Sequence, residues 1–261
     1  MELVVAATAP FGADVLERLA ARHDVAALLT RPDRPAGRGQ KVAAPPAKVV
    51  AGRLGIPVLQ PDRPTTELDL PAETVVVCAY GLLIPEALLE RGLWLNVHPS
   101  LLPRWRGAAP VERALLAGDI ETGVTIHETV KELDAGPIAA QSAFLIGSQD
   151  DAGAIFARSA ELAVELLDDV IPSPTFRPQE GEPTYAAKIE PVDRELDLSD
   201  PVDSLNRIRA LSPHIGARGE LNDRRVTIWR ARLEDGELIP EEVQPEGRTR
   251  MTYDEFLRGL R

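Results

Sequence analysis

Asn96 and His98 stand two residues apart at the end of an apolar run, "LWLNVH", and a stiff loop, "PSLLPRWRGAAP", follows them. Residues i and i+2 of an extended strand share a face. An amide and an imidazole are therefore presented together, while Leu95 and Val97 point the other way into packing. Asp134, in "KELDAGPI", also falls between two expected strands. A carboxylate arriving on that second loop would hold the imidazole and favour its protonated form. An amide, a histidine and an aspartate suit acyl transfer to an amine. Asn96 can donate to a carbonyl oxygen on which negative charge develops, and His98 can add to that stabilisation or move the proton of the attacking amine. Asn-x-His alone reads equally well as a polar strand end bonding its own loop. The loop shifts the balance: Pro99 and Pro103 stiffen it, and "SLLP" sets apolar side chains beside the polar pair, as a flat aromatic ligand would require.

Other chemistries fit less well. Ser100 with His98 and Asp134 would make a hydrolytic triad, but no Gly-x-Ser-x-Gly elbow is present. His98 and His127 are available to a metal, yet there is no His-Glu-x-x-His and no cysteine pair, so no metal is expected. The first strand runs into "ATAPFGA" without Gly-x-Gly-x-x-Gly, which argues against a dinucleotide. Cys78, flanked by "VVV", reads as core. His127, in "TIHET", reads as strand surface or pocket wall, and Trp94 and Trp229 as core packing.

The elements that must position these groups follow from hydrophobic spacing. "ELVVAATA", "DVAALLT", "IPVLQ", "ETVVVCAY" and "LWLNVH" have the length and apolar run of buried strands. "GADVLERLAARH", "AKVVAGRLG", "IPEALLERG" and "PVERALLAG" have helical spacing, and "RPDRPAGRGQKVAAPP" reads as a long Pro- and Gly-rich loop. "TGVTIHETV" and "GPIAAQSAFLIG" add strands, and "DDAGAIFARSAELAVELLDDV" a long amphipathic helix. The alternation predicts an α/β fold: a Rossmann-like, mostly parallel sheet with helices on both faces. Ligands bind beyond the carboxyl ends of such strands, where Asn96 and His98 stand.

After Ile171 the texture changes to the turn-rich "PSPTFRPQEGEPTY". A short helix follows, then three strands, "GARGEL", "RRVTIWRARL" and "ELIPEEV", the first two joined by a hairpin at Asn222–Asp223. Thr252 and Glu255 form a capping box for a last helix. The expected organisation is a catalytic domain over 1–182, a linker over 183–203 and a small β-rich unit over 204–261.

The 261 residues suffice for a full core, and 44 % hydrophobic with 27 % charged residues is ordinary for a soluble globular chain. "MELVVAATAP" does not read as a signal peptide, no run approaches the roughly 18 apolar residues of a membrane span, and Cys78 has no partner for a disulfide. A cytoplasmic protein with no membrane partner is expected. The net charge of −12 weighs against a polyanionic partner. Yet Arg31, Arg34, Arg38, Lys41, Lys48 and Arg53 cluster within 31–53 against one acid, Asp33. Such a stretch is either a solvated face or a local polyanion contact.

"NVHPSLLPRWRGAAP" followed by "TGVTIHETVKELDAGPI" resembles the signature of the formyltransferases that use 10-formyltetrahydrofolate. "TRPDRPAGRGQKVAAPPAKVVA" and "VVVCAYGLLIP" narrow the resemblance to the methionyl-tRNA formyltransferase branch. It covers most of residues 1–190 and fades near the C-terminus. The resemblance implies that Asn96, His98 and Asp134 are the catalytic trio, and that Tyr80, Gly81, Leu82, Ser100, Leu101, Leu102 and Pro103 line the folate site. It implies that Arg34, Arg38 and Lys41 meet the acceptor end of initiator methionyl-tRNA, and that "TAPFG" lies near the methionyl group. A monomer with 10-formyltetrahydrofolate as co-substrate is expected. Three departures stand out. Lys131 occupies a position usually polar or acidic, and Gln40 precedes Lys41 where relatives often carry two lysines. The C-terminal unit is also far shorter than the family's OB-type barrel of about a hundred residues, with three strands where closure needs about five; it resembles a truncated barrel, acidic on balance.

The same trio would serve a formyltransferase acting on another amine, such as a nucleotide-linked amino sugar, or a hydrolase of the same co-substrate. A non-catalytic folate or tRNA binder would retain the pocket alone. The basic loop discriminates, because only a tRNA substrate needs it.

Overall fold

The structure, a computed structural model, describes residues 1–36 and 41–260. In chain order the first half comprises β1 (Glu2–Ala7), α1 (Pro10–Ala20), β2 (Asp24–Leu29), β3 (Arg34–Ala36), β4 (Lys41–Ala43), α2 (Pro46–Leu54), β5 (Val58–Leu59), β6 (Thr74–Cys78), α3 (Glu86–Leu89) and β7 (Leu93–His98). Then come β8 (Arg106–Gly107), α4 (Pro110–Leu116), β9 (Glu121–Glu128), β10 (Ile138–Leu145), α5 (Ala152–Val170) and β11 (Tyr185–Ala186). The C-terminal part has α6 (Pro201–Leu211), β12 (Ala217–Leu221), β13 (Arg224–Glu234), β14 (Glu237–Pro245), β15 (Met251–Thr252) and α7 (Tyr253–Arg258). The chain divides into two compact units. One is Met1–Arg106, Gly123–Ala143 and Ala157–Thr184; the other is Gly107–Thr122, Phe144–Phe156 and Tyr185–Arg261.

The first unit is built on a seven-stranded sheet in the order β10-β9-β7-β6-β1-β2-β5. The five strands from β7 to β5 pair in parallel, and β9 runs antiparallel to β7. The sheet is thus mostly parallel, as the alternation of elements requires. Side-chain alternation assigns its two faces. Val4 and Ala6, Ala27 and Leu29, Val75 and Val77, and Trp94 pack together on one side, with Leu88 of α3 against them. On the other side α1 approaches closely. Gly12 lies so near Ala7 and the Cys78 carbonyl that a methyl group there would overlap both. Helices therefore cover opposite faces, and Asn96 and His98 share parity with Trp94. At the strand ends Thr8 Oγ1 donates to the Tyr80 carbonyl (2.7 Å), tying β1 to the segment after β6. Asp168 of α5 receives both Arg22 and His23 Nε2, the latter at 2.8 Å, at the end of α1. Cys78 is fully buried, as expected.

The segment read as one long loop differs in detail. Its flanks, β3 and β4, pair antiparallel from Arg34↔Ala43 to Ala36↔Lys41. Proline and glycine content hid the short strands, because two or three paired residues leave no periodic signal.

The second unit holds an antiparallel sheet in the order β12-β13-β14-β15. Asn222 and Asp223 both have positive φ (52° and 59°), which suits the two-residue turn between β12 and β13. The three expected strands form, and β15 adds a fourth through Glu242↔Thr252 and Val243↔Met251. The capping box at Thr252 and Glu255 opens α7. Helix α6 packs on β13 and β14, burying Leu205, Ile208 and Leu211. Residues 187–193 are held to α4, where Arg113 donates to the carbonyls of Ala187 and Lys188 and to both carboxylate oxygens of Asp193. Trp229, expected in the core, is only half-buried. Its Nε1 donates to Gln244 Oε1 (3.0 Å), and the Arg250 guanidinium stacks 3.4 Å from its ring centre. Among the described residues no helix is long and apolar enough to cross a membrane.

Candidate active site

The end of β7 carries Asn96 and His98 on one face, and β9 brings a third group to that face. The antiparallel register sets Asn96 opposite His127 and His98 opposite Thr125. Directly opposed residues of an antiparallel pair project to the same side at close range. Asn96 Nδ2 accordingly lies 2.9 Å from His127 Nε2. The loop after β9 returns Asp134 over them. Its Oδ1 is 3.3 Å from Asn96 Nδ2 and 3.7 Å from His127 Nε2, and its Oδ2 is 3.7 Å from His98 Nδ1. The structure therefore brings Asn96, His98 and Asp134 together and adds His127, which the sequence reading set aside as strand surface or wall. His98 and His127 are 4 % and 1 % exposed.

Hydrogen-bond partners fix the protons. His98 Nε2 donates to the Trp105 carbonyl (2.8 Å) and His127 Nδ1 donates to the Glu128 carbonyl (2.8 Å). In neutral rings, His98 Nδ1 and His127 Nε2 then hold lone pairs. His127 Nε2 accepts one hydrogen of the Asn96 amide, and Asp134 faces the other. The sequence reading expected Asp134 to favour a protonated His98. Burial outweighs it: the His98 pKa lies below the usual histidine value, with the Asp134 charge and the Trp105 carbonyl opposing the shift and His127 adding to it. The resting ring is a neutral base whose free nitrogen faces a carboxylate.

The two loops are shaped for this. Asp134 has φ 49°, a left-handed conformation that Asp tolerates better than most residues. Gly136 lies against β9 so closely that any side chain would overlap the Glu128 carbonyl. Backbone bonds from Thr129 to Trp94 (2.8 Å) and from Glu128 to Pro137 (3.0 Å) close the loop. After His98, Thr125 Oγ1 donates to the Ser100 carbonyl (2.7 Å) and accepts from Leu102 N (3.1 Å). Gln141 Nε2 donates to the Leu102 carbonyl (3.0 Å) and to Thr125 Oγ1 (2.8 Å).

The other expected residues are dispersed. Tyr80, Ser100 and Leu102 are buried, and Ser100 Oγ is engaged with the Arg104 carbonyl (2.7 Å). Leu82 packs against the cluster around Trp94. Gly81 is exposed, and Leu101 and Pro103 are half-buried. The 81–86 segment meets the Asp134 loop through Lys131 Nζ and Glu86 Oε2 (3.1 Å), and Leu83, Val130 and Leu133 stand exposed on these two segments. Arg34 is exposed on β3, Lys41 begins β4, and Arg38 lies outside the described residues. Arg31, which precedes them in sequence, has a buried Nε that meets no hydrogen-bond partner among the described residues. No group of three or more His, Cys, Asp or Glu that could hold a metal ion occurs among the described residues.

The sequence profile described as Formyl transferase matches residues 1–171. The methionyl-tRNA formyltransferase of Cereibacter sphaeroides is 40 % identical over 295 aligned positions, covering 100 % of this chain and 96 % of that protein. The methionyl-tRNA formyltransferase of Alcanivorax borkumensis is 39 % identical, covering 99 % and 91 %. Among solved structures, the methionyl-tRNA formyltransferase of Clostridium thermocellum superposes with a TM-score of 0.66 at 18 % identity, covering 94 % of this chain and 98 % of that one. A 4-N formyltransferase of Francisella tularensis gives 0.69 at 18 % identity, covering 90 % and 98 %. These structures share the fold. With a profile spanning most of the chain and full-length relatives near 40 % identity, the chain belongs to the formyl transferase family.

Proposed function

We propose that this protein transfers the formyl group of 10-formyltetrahydrofolate to the α-amino group of methionyl initiator tRNA. The reading is carried by the convergence of Asn96, His98 and Asp134 at the end of β7, with the acceptor taken from the full-length relatives of that name. The amine nitrogen attacks the formyl carbon, the carbon–N10 bond breaks, and one proton passes from the amine to N10. His98 Nδ1, neutral and unencumbered by hydrogen, takes the amine proton. Asp134, 3.7 Å away, balances the ring's new charge. Asn96 Nδ2 stabilises the tetrahedral oxyanion by exchanging its long 3.3 Å contact with Asp134 for the substrate oxygen, while His127 keeps the amide in place. His127 thus joins the site as the residue that orients Asn96.

The co-substrate fits the residues present. The exposed Leu83, Val130 and Leu133 offer apolar cover for a flat ring system and its aryl arm next to the polar cluster. Gly81, Leu82, Leu101 and Pro103 are assigned to the folate side on the family resemblance, and the buried Tyr80, Ser100 and Leu102 lie in the same two segments. Arg34, Arg38 and Lys41, with Arg31 before them in sequence, supply cations for the acceptor-stem phosphates. The deciding experiment incubates the protein with 10-formyltetrahydrofolate and methionine-charged initiator or elongator tRNA. Formyl-methionine released from the initiator tRNA is the expected product. None from that tRNA, or equal formylation of a simple amino sugar, would remove the assignment.

A further inference from the structure

Asp134 holds a left-handed backbone conformation in a loop that lies across two strands, and Gln179, 45 residues on, meets that loop. Gln179 Nε2 donates to the carbonyls of Asp134 and Gly136, both at 2.8 Å. Its Oε1 accepts from Arg106 Nε (3.1 Å) and Nη2 (2.7 Å). Both donors and both lone pairs of the amide are used. Its orientation is therefore dictated: reversed, the oxygen would face two carbonyls and the NH2 a guanidinium. Arg106 is itself nearly buried, with Nη1 3.8 Å from Glu132 of the same loop. The backbone of the Gln179 segment is anchored separately, because Arg177 and Ile138 exchange both backbone hydrogen bonds (2.7 and 3.0 Å). The Gln179 side chain is thus not needed to keep its own segment in place.

We propose that Gln179 is a positioning residue for Asp134: aimed by Arg106, its amide pins the loop on either side of the carboxylate and so sets the carboxylate between His98 and His127. This rests on the formyl-transfer reading only through the role of Asp134. Two polar residues outside the cluster thereby control its geometry. They act on the backbone of the loop rather than on the carboxylate.

The test uses Gln179→Glu, which keeps the length and offers Arg106 a carboxylate but removes both donors. Thermal unfolding should stay cooperative and within a few degrees of wild type, the small loss reflecting a carboxylate oxygen turned toward two carbonyls. The value of kcat for formylation should fall on the order of 10-fold, as a misplaced catalytic group implies, with KM for both substrates within about 3-fold. In an Asp134→Ala background the same change should cost no further activity, because its effect passes through the missing carboxylate. Ring titration of His98 by NMR, which needs no substrate, should move to lower pH as Asp134 drifts away and leaves burial and His127 to dominate. Gln179→Leu must repeat the pattern without adding charge. An unchanged kcat, an equal loss in both backgrounds, an unmoved His98 titration or a loss confined to the Glu variant would each overturn the proposal. If wild-type protein formylates no tRNA, the functional reading fails instead, and the ring titration still decides the role of Gln179.

Discussion

His98 donates through Nε2 to the carbonyl oxygen of Trp105, 2.8 Å away, and this one bond decides which ring nitrogen faces Asp134. Trp105 presents that carbonyl from a left-handed conformation (φ 64°), so the loop accepts backbone strain where it fixes the tautomer. The proton-free Nδ1 is left facing Asp134, as the base of the proposed transfer requires.

The pH dependence follows in sign. Burial lowers the His98 pKa, and Asp134 opposes it. A base is lost when protonated, so kcat/KM should fall as pH drops, with a midpoint below the usual histidine value of about 6.5. Asp134→Asn removes the charge that props the pKa up, so the midpoint of its residual activity should move lower still. A pH–rate series on both proteins checks this, and an acid limb centred above the ordinary histidine value would contradict it.

The Asn96–His127 pair predicts a graded series. His98→Ala and Asn96→Ala should each lose roughly 10²-fold or more in kcat, the loss typical of one removed oxyanion donor. His127→Phe keeps the ring volume but removes the acceptor for Asn96 Nδ2, so the amide is free to turn. Its loss should be smaller, on the order of 10-fold, and should vanish when combined with Asn96→Ala. Single-turnover rates on the four proteins measure it. A His127→Phe variant with full activity would return the residue to pocket wall.

The sequence showed the site's strand and loop but not its fourth member, and the reason is physical. Asn96 and His98 share a face by local period-two geometry, which any extended run reveals. His127 joins them only because β9 lies antiparallel beside β7 in a register that opposes it to Asn96. That is a pairing between residues 31 apart, and the expectation of a parallel sheet pointed away from it. A signal was nonetheless present: in "TIHE" a titratable ring alternates with residues suited to a buried strand, at the same spacing as "NVH". The net direction of the His98 pKa shift was not legible for a similar reason. Its charged neighbour was legible, whereas the depth of burial that outweighs the neighbour depends on the whole fold. The capping box at Thr252 and the turn at Asn222–Asp223 are local and were read directly.

The cations on the β3–β4 segment should affect only the macromolecular substrate. Arg34→Ala, Arg38→Ala and Lys41→Ala are expected to raise KM for charged tRNA while leaving formylation of a small amine unchanged. Each should also flatten the log–log salt dependence of tRNA binding by up to about one unit per lost phosphate contact. Arg31→Gln, which removes a guanidinium whose buried Nε has no hydrogen-bond partner among the described residues, belongs in the same series. Filter binding at several salt concentrations tests this, and a uniform loss on small amines would indicate damage to the site instead.

Gly136 is the residue on which the Asp134 loop is seated. A side chain there overlaps the Glu128 carbonyl, and the backbone cannot retreat without breaking the bond from Glu128 N to the Pro137 carbonyl. Gly136→Ala should therefore lift the loop from β9 and carry Asp134 away from His98 Nδ1, where 3.7 Å is already at the outer limit of an ion pair. Because the loop is at the sheet's rim, the core around Trp94 should remain folded, and the thermal midpoint should shift by only a few degrees, as for a loss of about 1 kcal/mol. Activity should fall by roughly 10²-fold, the penalty for displacing a catalytic group by about an ångström. Ala135→Gly, one residue earlier and without such a contact, is the control that separates loop position from loop flexibility. Near-normal turnover in Gly136→Ala would mean that Asp134 reaches His98 by another route and that the close packing on β9 serves stability alone.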